Sequence, residues 1–165
     1  LQELKSSEEK YPLHELVSAG YHSIQACQKT YNGVSIISKS QGIECQNNPV
    51  AVNDHEMRSI SATFDDLRVV NFYVVNGQSI GSEKYTHKLK WLENARKYIK
   101  DQLTSYRKLV VVGDFNIVPN ENDASNFSSN DILCSEKERK ALQAILDLGL
   151  TDCYKAQDNV SPYTW

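Results

Sequence analysis

Val110-Val111-Val112-Gly113-Asp114-Phe115-Asn116 is the stretch whose reading settles the fold. Leu109 to Val112 is short and wholly apolar, which predicts a strand buried on both faces. Asp114 and Asn116 follow two residues apart. Residues i and i+2 on extended backbone point the same way, so a carboxylate and an amide would face one crevice. Crevices at the carboxyl ends of strands are where α/β proteins bind ligands. A carboxylate there can hold Mg²⁺ or orient a water, and an amide can donate to a phosphoryl oxygen. The same spacing also describes an Asx-rich turn that merely caps the strand.

Working outward, the hydrophobic period identifies the neighbours. Tyr85, Leu89, Leu92, Arg96 or Ala95, Ile99 and Leu103 recur three or four apart, which predicts one long helix from Glu83 to about Leu103. Ser59 to Phe64 alternates and Leu67 to Val75 is β-branched, so a hairpin turning at Asp65-Asp66 is expected. Tyr21 to Gln28 and Val34 to Ser38 form a second hairpin through Asn32-Gly33, because both residues tolerate positive φ. Pro12 to Ala19 suits a short helix ended by Gly20. Residues 117 to 133 are polar and loop-like. Ser135 with Glu138 is a capping box, opening a helix that buries Ala141, Leu142, Ile145 and Leu146 and ends at Gly149. Strands, helix, strand, helix in that order predict a mixed α/β (α+β layered) domain over residues 1–165.

Composition narrows the function classes. The 165 residues are 40% hydrophobic and 24% charged, with a net charge of −3. That balance argues against a protein that coats nucleic acid electrostatically, but it leaves room for a carboxylate-rich site beside a basic groove. No apolar run reaches the roughly 18 residues that span a bilayer and no signal segment opens the chain, so no membrane partner and a cytoplasmic location are expected. Cys27, Cys45, Cys134 and Cys153 form no C-x-x-C pair, which argues against zinc and for reduced, mostly packed thiols. Asn126-Phe127-Ser128 and Asn159-Val160-Ser161 fit the glycosylation sequon, discounted without a secretion signal. The four histidines make no metal-ligand spacing.

Gly113-Asp114-Phe115-Asn116 with Pro119 is similar to the G-D-x-N-x-x-P signature of the endonuclease/exonuclease/phosphatase superfamily. Leu1-Gln2-Glu3, Tyr31-Asn32-Gly33-Val34 after Gln28-Lys29, Asn71 to Gly77, Ser135 to Asp152 and Tyr163-Thr164-Trp165 resemble, in order, motifs of its exonuclease III-type branch. The resemblance covers nearly the whole chain. It implies a four-layer β-sandwich of the DNase I-like type, incomplete here. It also implies a Mg²⁺-dependent (alternatively Mn²⁺-dependent) DNA repair nuclease, a monomer acting on double-stranded DNA at abasic sites and 3′ ends. Carried across by position, Glu3 would bind the metal, with Asp114 and Asn116 contributing. Tyr73 would contact the scissile phosphate or assist the nucleophile, Asp114 would orient or deprotonate the attacking water, and Asn116 would hold a phosphoryl oxygen. Lys29, Asn76 and Lys88 would contact DNA, and Trp165 would line the rim of the abasic-site pocket.

Departures and alternatives stand beside these implications. Val75 replaces the usual Pro, Leu4 the usual Thr and Cys27 the usual Gly. Leu4 removes a hydroxyl that could support the metal site. The family's first strand and its late S-D-H segment would lie outside Leu1–Trp165. Both ends look like cuts through a domain, so the 165 residues alone are expected to be inactive. The competing readings are a superfamily phosphatase or phosphodiesterase acting on small phosphoesters or lipids, and a non-catalytic nucleic-acid-binding relative.

Overall fold

A computed structural model describes residues 1–53, 55–120, 123 and 131–156. The elements run α1 (Leu13–Ser18), β1 (His22–Ala26), β2 (Val34–Ser38), β3 (Ile43–Asn47), β4 (Ser59–Phe64), β5 (Leu67–Tyr73), α2 (Glu83–Ser105), β6 (Lys108–Asp114) and α3 (Glu136–Leu146), with a 3-10 turn at Glu8–Lys10. The expected mixed α/β architecture is present. The described chain falls into two units, Leu1–Val74 with Asp101–Phe115, and Val75–Lys100 with Asn116 onward.

The first unit holds two sheets: the β1–β2 hairpin and a four-stranded sheet in the order β3-β4-β5-β6. β1 and β2 pair antiparallel from His22↔Ser38 to Ala26↔Val34, and Asn32 and Gly33 before β2 take φ of 56° and 88°. The Asn-Gly signal works for the reason expected of it. β4 and β5 pair from Ser59↔Phe72 to Phe64↔Leu67, turning at Asp65 with φ 53°. Ala26 and Val34 of the hairpin pack on Ile60 of β4, with Ile24, Ile36, Met57 and Tyr73 around them. The apolar faces of both sheets therefore meet in one core.

Two features differ from the sequence expectation. β6 is not buried on both faces. Among the described residues it is the edge of its sheet, joined only to β5 in parallel register, and Val112 is 43% exposed. The second is β3, whose residues Ile43-Glu44-Cys45-Gln46-Asn47 are all exposed and carry no period. β3 pairs antiparallel with β4, from Ile43↔Thr63 to Asn47↔Ile60, and is tied further by Arg68 on β5, which is fully buried. Its N–H groups reach Gln102 Oε1 (2.8 Å), Glu44 O (2.8 Å), Thr63 Oγ1 (3.2 Å), Gln46 Oε1 (2.8 Å) and Ser61 Oγ (2.9 Å). The planar guanidinium can satisfy several acceptors in one plane, so a single side chain ties β3, β4 and the end of α2 together.

Asn71, 1% exposed on β5, fixes the start of the chain. Its amide donates to Leu1 O and Ser35 O (3.0 Å each) and accepts from Gln2 Nε2 (2.6 Å). Gln2 also bridges to Val34, so the residue after it enters the first unit at a fixed place.

In the second unit, the α3 capping box is present as expected. Ser135 Oγ accepts from the Glu138 backbone N–H, and Glu138 Oε2 accepts from Ser135 N at 3.1 Å. Val118, Leu133 and Cys134 form a small core there, with Ile132 against it. None of the four cysteines is bonded to another, but Cys45 and Cys153 are exposed, so packing accounts for only half of them. No helix among the described residues is long and apolar enough to cross a membrane.

Candidate active site

In the first unit the chain around Glu3 is tied down on both sides. Gln2 pairs with Val34, while Leu4 N and Lys5 N donate to Gly33 O (3.2 Å) and Asn32 O (3.0 Å). Glu3 itself takes φ 54° and is exposed. Tyr73, at the end of β5, donates from its hydroxyl to Glu3 Oε1 at 2.6 Å. Asp114 lies in direct register with Tyr73 on the parallel strand β6, and its backbone carbonyl accepts from Val74 N at 2.8 Å. The Tyr73 phenol thus feels the charge of two carboxylates.

Arg58 braces this tyrosine, a contribution that sequence reasoning missed. Its guanidinium lies 4.9 Å from the Tyr73 ring centroid, Nη1 donates to Tyr73 O at 3.4 Å, and Nε is held by Glu56 at 3.1 Å. The backbones add a bond from Tyr73 N to Arg58 O at 2.8 Å. A lone Arg just before a strand gave no signal of this.

The electrostatics set proton positions. Burial pushes the Tyr73 phenol up to about 12, reinforced by the Glu3 hydrogen bond and charge and by the charge of Asp114, with Arg58 opposing. The hydrogen bond from Lys5, then that from Tyr73, draws the Glu3 carboxyl below its ordinary range. At neutral pH Glu3 is therefore an anion and Tyr73 a neutral donor. The phenol stands there as a hydrogen-bond donor to the Glu3 carboxylate.

These side chains offer hard oxygen donors of the kind Mg²⁺ takes through one or two carboxylates while keeping several waters. Glu3 Oε2 is paired with Lys5 Nζ at 2.5 Å, but the two side chains are 45% and 54% exposed. A solvent-exposed pair of this kind is weak and exchangeable. A cation could replace Lys5 at that oxygen, so the residues fit in outline. Among the described residues no group of three or more His, Cys, Asp or Glu gathers to make a complete metal cage.

In the second unit Asn76 Nδ2 points to Asn116 Oδ1 at 3.5 Å. Asn76 is exposed and Asn116 only 5% so. Asn116 takes φ 48°, and Gly77, the residue after Asn76, φ 97°. Lys88 is where the structure corrects the sequence. The resemblance places it on DNA, yet it is fully buried, with its ammonium spent on Asn76 O, Asn116 O and Glu138. The helical period could not reveal this, because the acceptors lie on chain 12 to 50 residues away.

Lys29 is exposed in the loop between β1 and β2, beside Tyr31 at 68% exposure. Trp165, Tyr163 and both sequons lie outside the described residues.

The whole chain, residues 1–165, matches the model of the endonuclease/exonuclease/phosphatase family. Exodeoxyribonuclease III of Haemophilus influenzae is 27% identical over 169 residues, covering 94% of this chain and 63% of that protein. Among solved structures, the 3′ phosphatase NExo from Neisseria bound to product DNA hairpin superposes with a TM-score of 0.92 at 37% identity, over 98% of this chain and 64% of that one. An AP endonuclease from Archaeoglobus fulgidus gives 0.81 at 32%, over 89% and 58%. This chain therefore spans less than two thirds of the length of each.

Proposed function

Because the chain belongs to the endonuclease/exonuclease/phosphatase family, we propose that the protein is a divalent-metal-dependent DNA repair hydrolase, working at 3′ ends and 5′ to abasic sites of duplex DNA. The observation that carries this reading is the Tyr73–Glu3 hydrogen bond with Asp114 in register beside it. Core packing alone would not set a half-buried phenol beside two acids, since charge next to a buried hydroxyl adds nothing to apolar contact.

Each residue has a part suited to its state. Glu3 and Asp114 supply anionic oxygens for the metal, which we take to be Mg²⁺. When bound, the ion would stabilise charge on phosphoryl oxygens. Asp114 orients the attacking water and accepts its proton. Tyr73, held protonated, donates a hydrogen bond and keeps Glu3 in place. Asn116 and Asn76 present amides suited to a phosphoryl oxygen, where preorganised donors contribute most as charge develops. Lys29 and the exposed Tyr31 beside it offer a cation and a stacking face to the nucleic acid. A monomer and a cytoplasmic location complete the proposal.

Work at 3′ ends is supported by the likeness, at a TM-score of 0.92, to NExo, described both as a 3′ phosphatase and as a 3′-5′ exonuclease. The test is the intact protein with Mg²⁺ on three substrates: duplex with an abasic site, duplex with a 3′-phosphate, and phospholipid vesicles. Hydrolysis of DNA that falls on the order of 10²-fold or more in Asp114→Asn is the expected result. Preference for the vesicles, or DNA hydrolysis indifferent to Asp114, overturns the reading.

A further inference from the structure

Lys88 and Glu138 form a fully buried pair in the second unit, both 0% exposed. A buried pair is seldom worth more to stability than two apolar residues of the same volume, so its presence calls for a reason. The capping of α3 does not provide one. That duty is met by Glu138 Oε2, which accepts from Ser135 N (3.1 Å) and Ser135 Oγ (2.6 Å), while Tyr85 and Ser135 share a further hydroxyl contact at 2.6 Å. The other oxygen, Oε1, takes Leu133 N at 3.2 Å and the Lys88 ammonium.

The ammonium has three protons to place. Besides Glu138, its acceptors are Asn76 O at 3.1 Å and Asn116 O at 2.6 Å. These two carbonyls belong to the two residues whose side-chain amides face each other. The stem is fitted as closely. A Cβ on Gly77, the residue after Asn76, would lie 3.1 Å from Lys88 Cδ. Left-handed turns are costly for non-glycine residues and persist only where the surroundings hold them. Asn116, at φ 48°, is one such residue.

We propose that Lys88 is a positioning residue. Anchored by Glu138, it grips the backbone carbonyls of Asn76 and Asn116 and so fixes the direction of their two amides toward a phosphoryl oxygen. The proposal rests on the function proposed above. Glu138 balances the charge, so the device sets geometry without adding a net cation at the site.

The test uses the intact protein with Lys88→Met and Lys88→Met/Glu138→Gln. The single variant strands a buried carboxylate and loses stability. In the double variant the replacement amide can still cap α3 and carries no charge, so most of the melting temperature returns. Positioning predicts that the double variant keeps KM within about threefold of wild type on 3′-phosphate duplex while kcat stays on the order of 10²-fold down, the cost of misplaced groups. It also predicts moved side-chain amide resonances for Asn76 and Asn116. A recovered kcat, or unmoved amide resonances, overturns it. Should the wild type hydrolyse no DNA, the proposed function fails, and the resonances alone then decide whether Lys88 orients the amides.

Discussion

Replacing Gly113 by Ala tests the junction of β6 with the carboxylate cluster. Gly113 takes φ 132°, a region open in practice only to glycine. A Cβ there would sit 1.9 Å from Phe72 O, where real Cβ atoms stay beyond 3.0 Å. The obstacle is backbone, so no rotamer relieves it. Either the dihedral changes, at about 1–3 kcal/mol, or β5 and β6 part and lose two ladder bonds at about 1 kcal/mol each. Either response gives a destabilisation of about 1–3 kcal/mol, measured by urea unfolding of the intact protein. Phe72↔Gly113 is the register pair adjacent to Tyr73↔Asp114, so the damage also reaches the phenol. Parting the strands by about 1 Å would displace Asp114 from Tyr73 enough to lower kcat on the order of 10²-fold. A Gly113→Ala variant with wild-type midpoint and kcat would refute both the steric reasoning and the link between this contact and the site.

Arg68→Met keeps the stem and removes the guanidinium donors, leaving Gln46, Ser61 and Gln102 without their shared partner. Hydrogen exchange at Ile43–Asn47 should rise sharply and stability fall by about 3 kcal/mol; protection unchanged in β3 would show that the strand stands on its own ladder. Ultraviolet titration should find one tyrosine ionising near 12, and Glu3→Gln should bring it down; a titration unchanged by Glu3→Gln would contradict the pairing. The raised folded value means that Tyr73 contributes stability below pH 10, and that this is lost as pH climbs from 10 through about 12. Glu3 acts in the opposite range, its lowered folded value giving a contribution present above about pH 4.5 and lost below it.

Much of this was written in local sequence. The capping box at Ser135/Glu138, the Asn-Gly hairpin and the long helix depend on contacts within a few residues, and those are set by residue type and spacing. The apolar run Leu109 to Val112 likewise placed Asp114 at a strand end, since such a run is a local property. The period of two from Asp114 to Asn116 does not hold, because Asn116 takes φ 48° in place of extended backbone. Tertiary structure alone decided the rest. β3 has no pattern of its own, because it is tied by its ladder to β4 and by a guanidinium 22 and 24 residues away. Lys88, placed on DNA by the resemblance, is instead buried where the fold delivers two carbonyls and a carboxylate to its end. The proton on Tyr73 depends on burial and on Glu3, 70 residues distant, and long-range electrostatics of that kind leave no trace in the neighbouring residues.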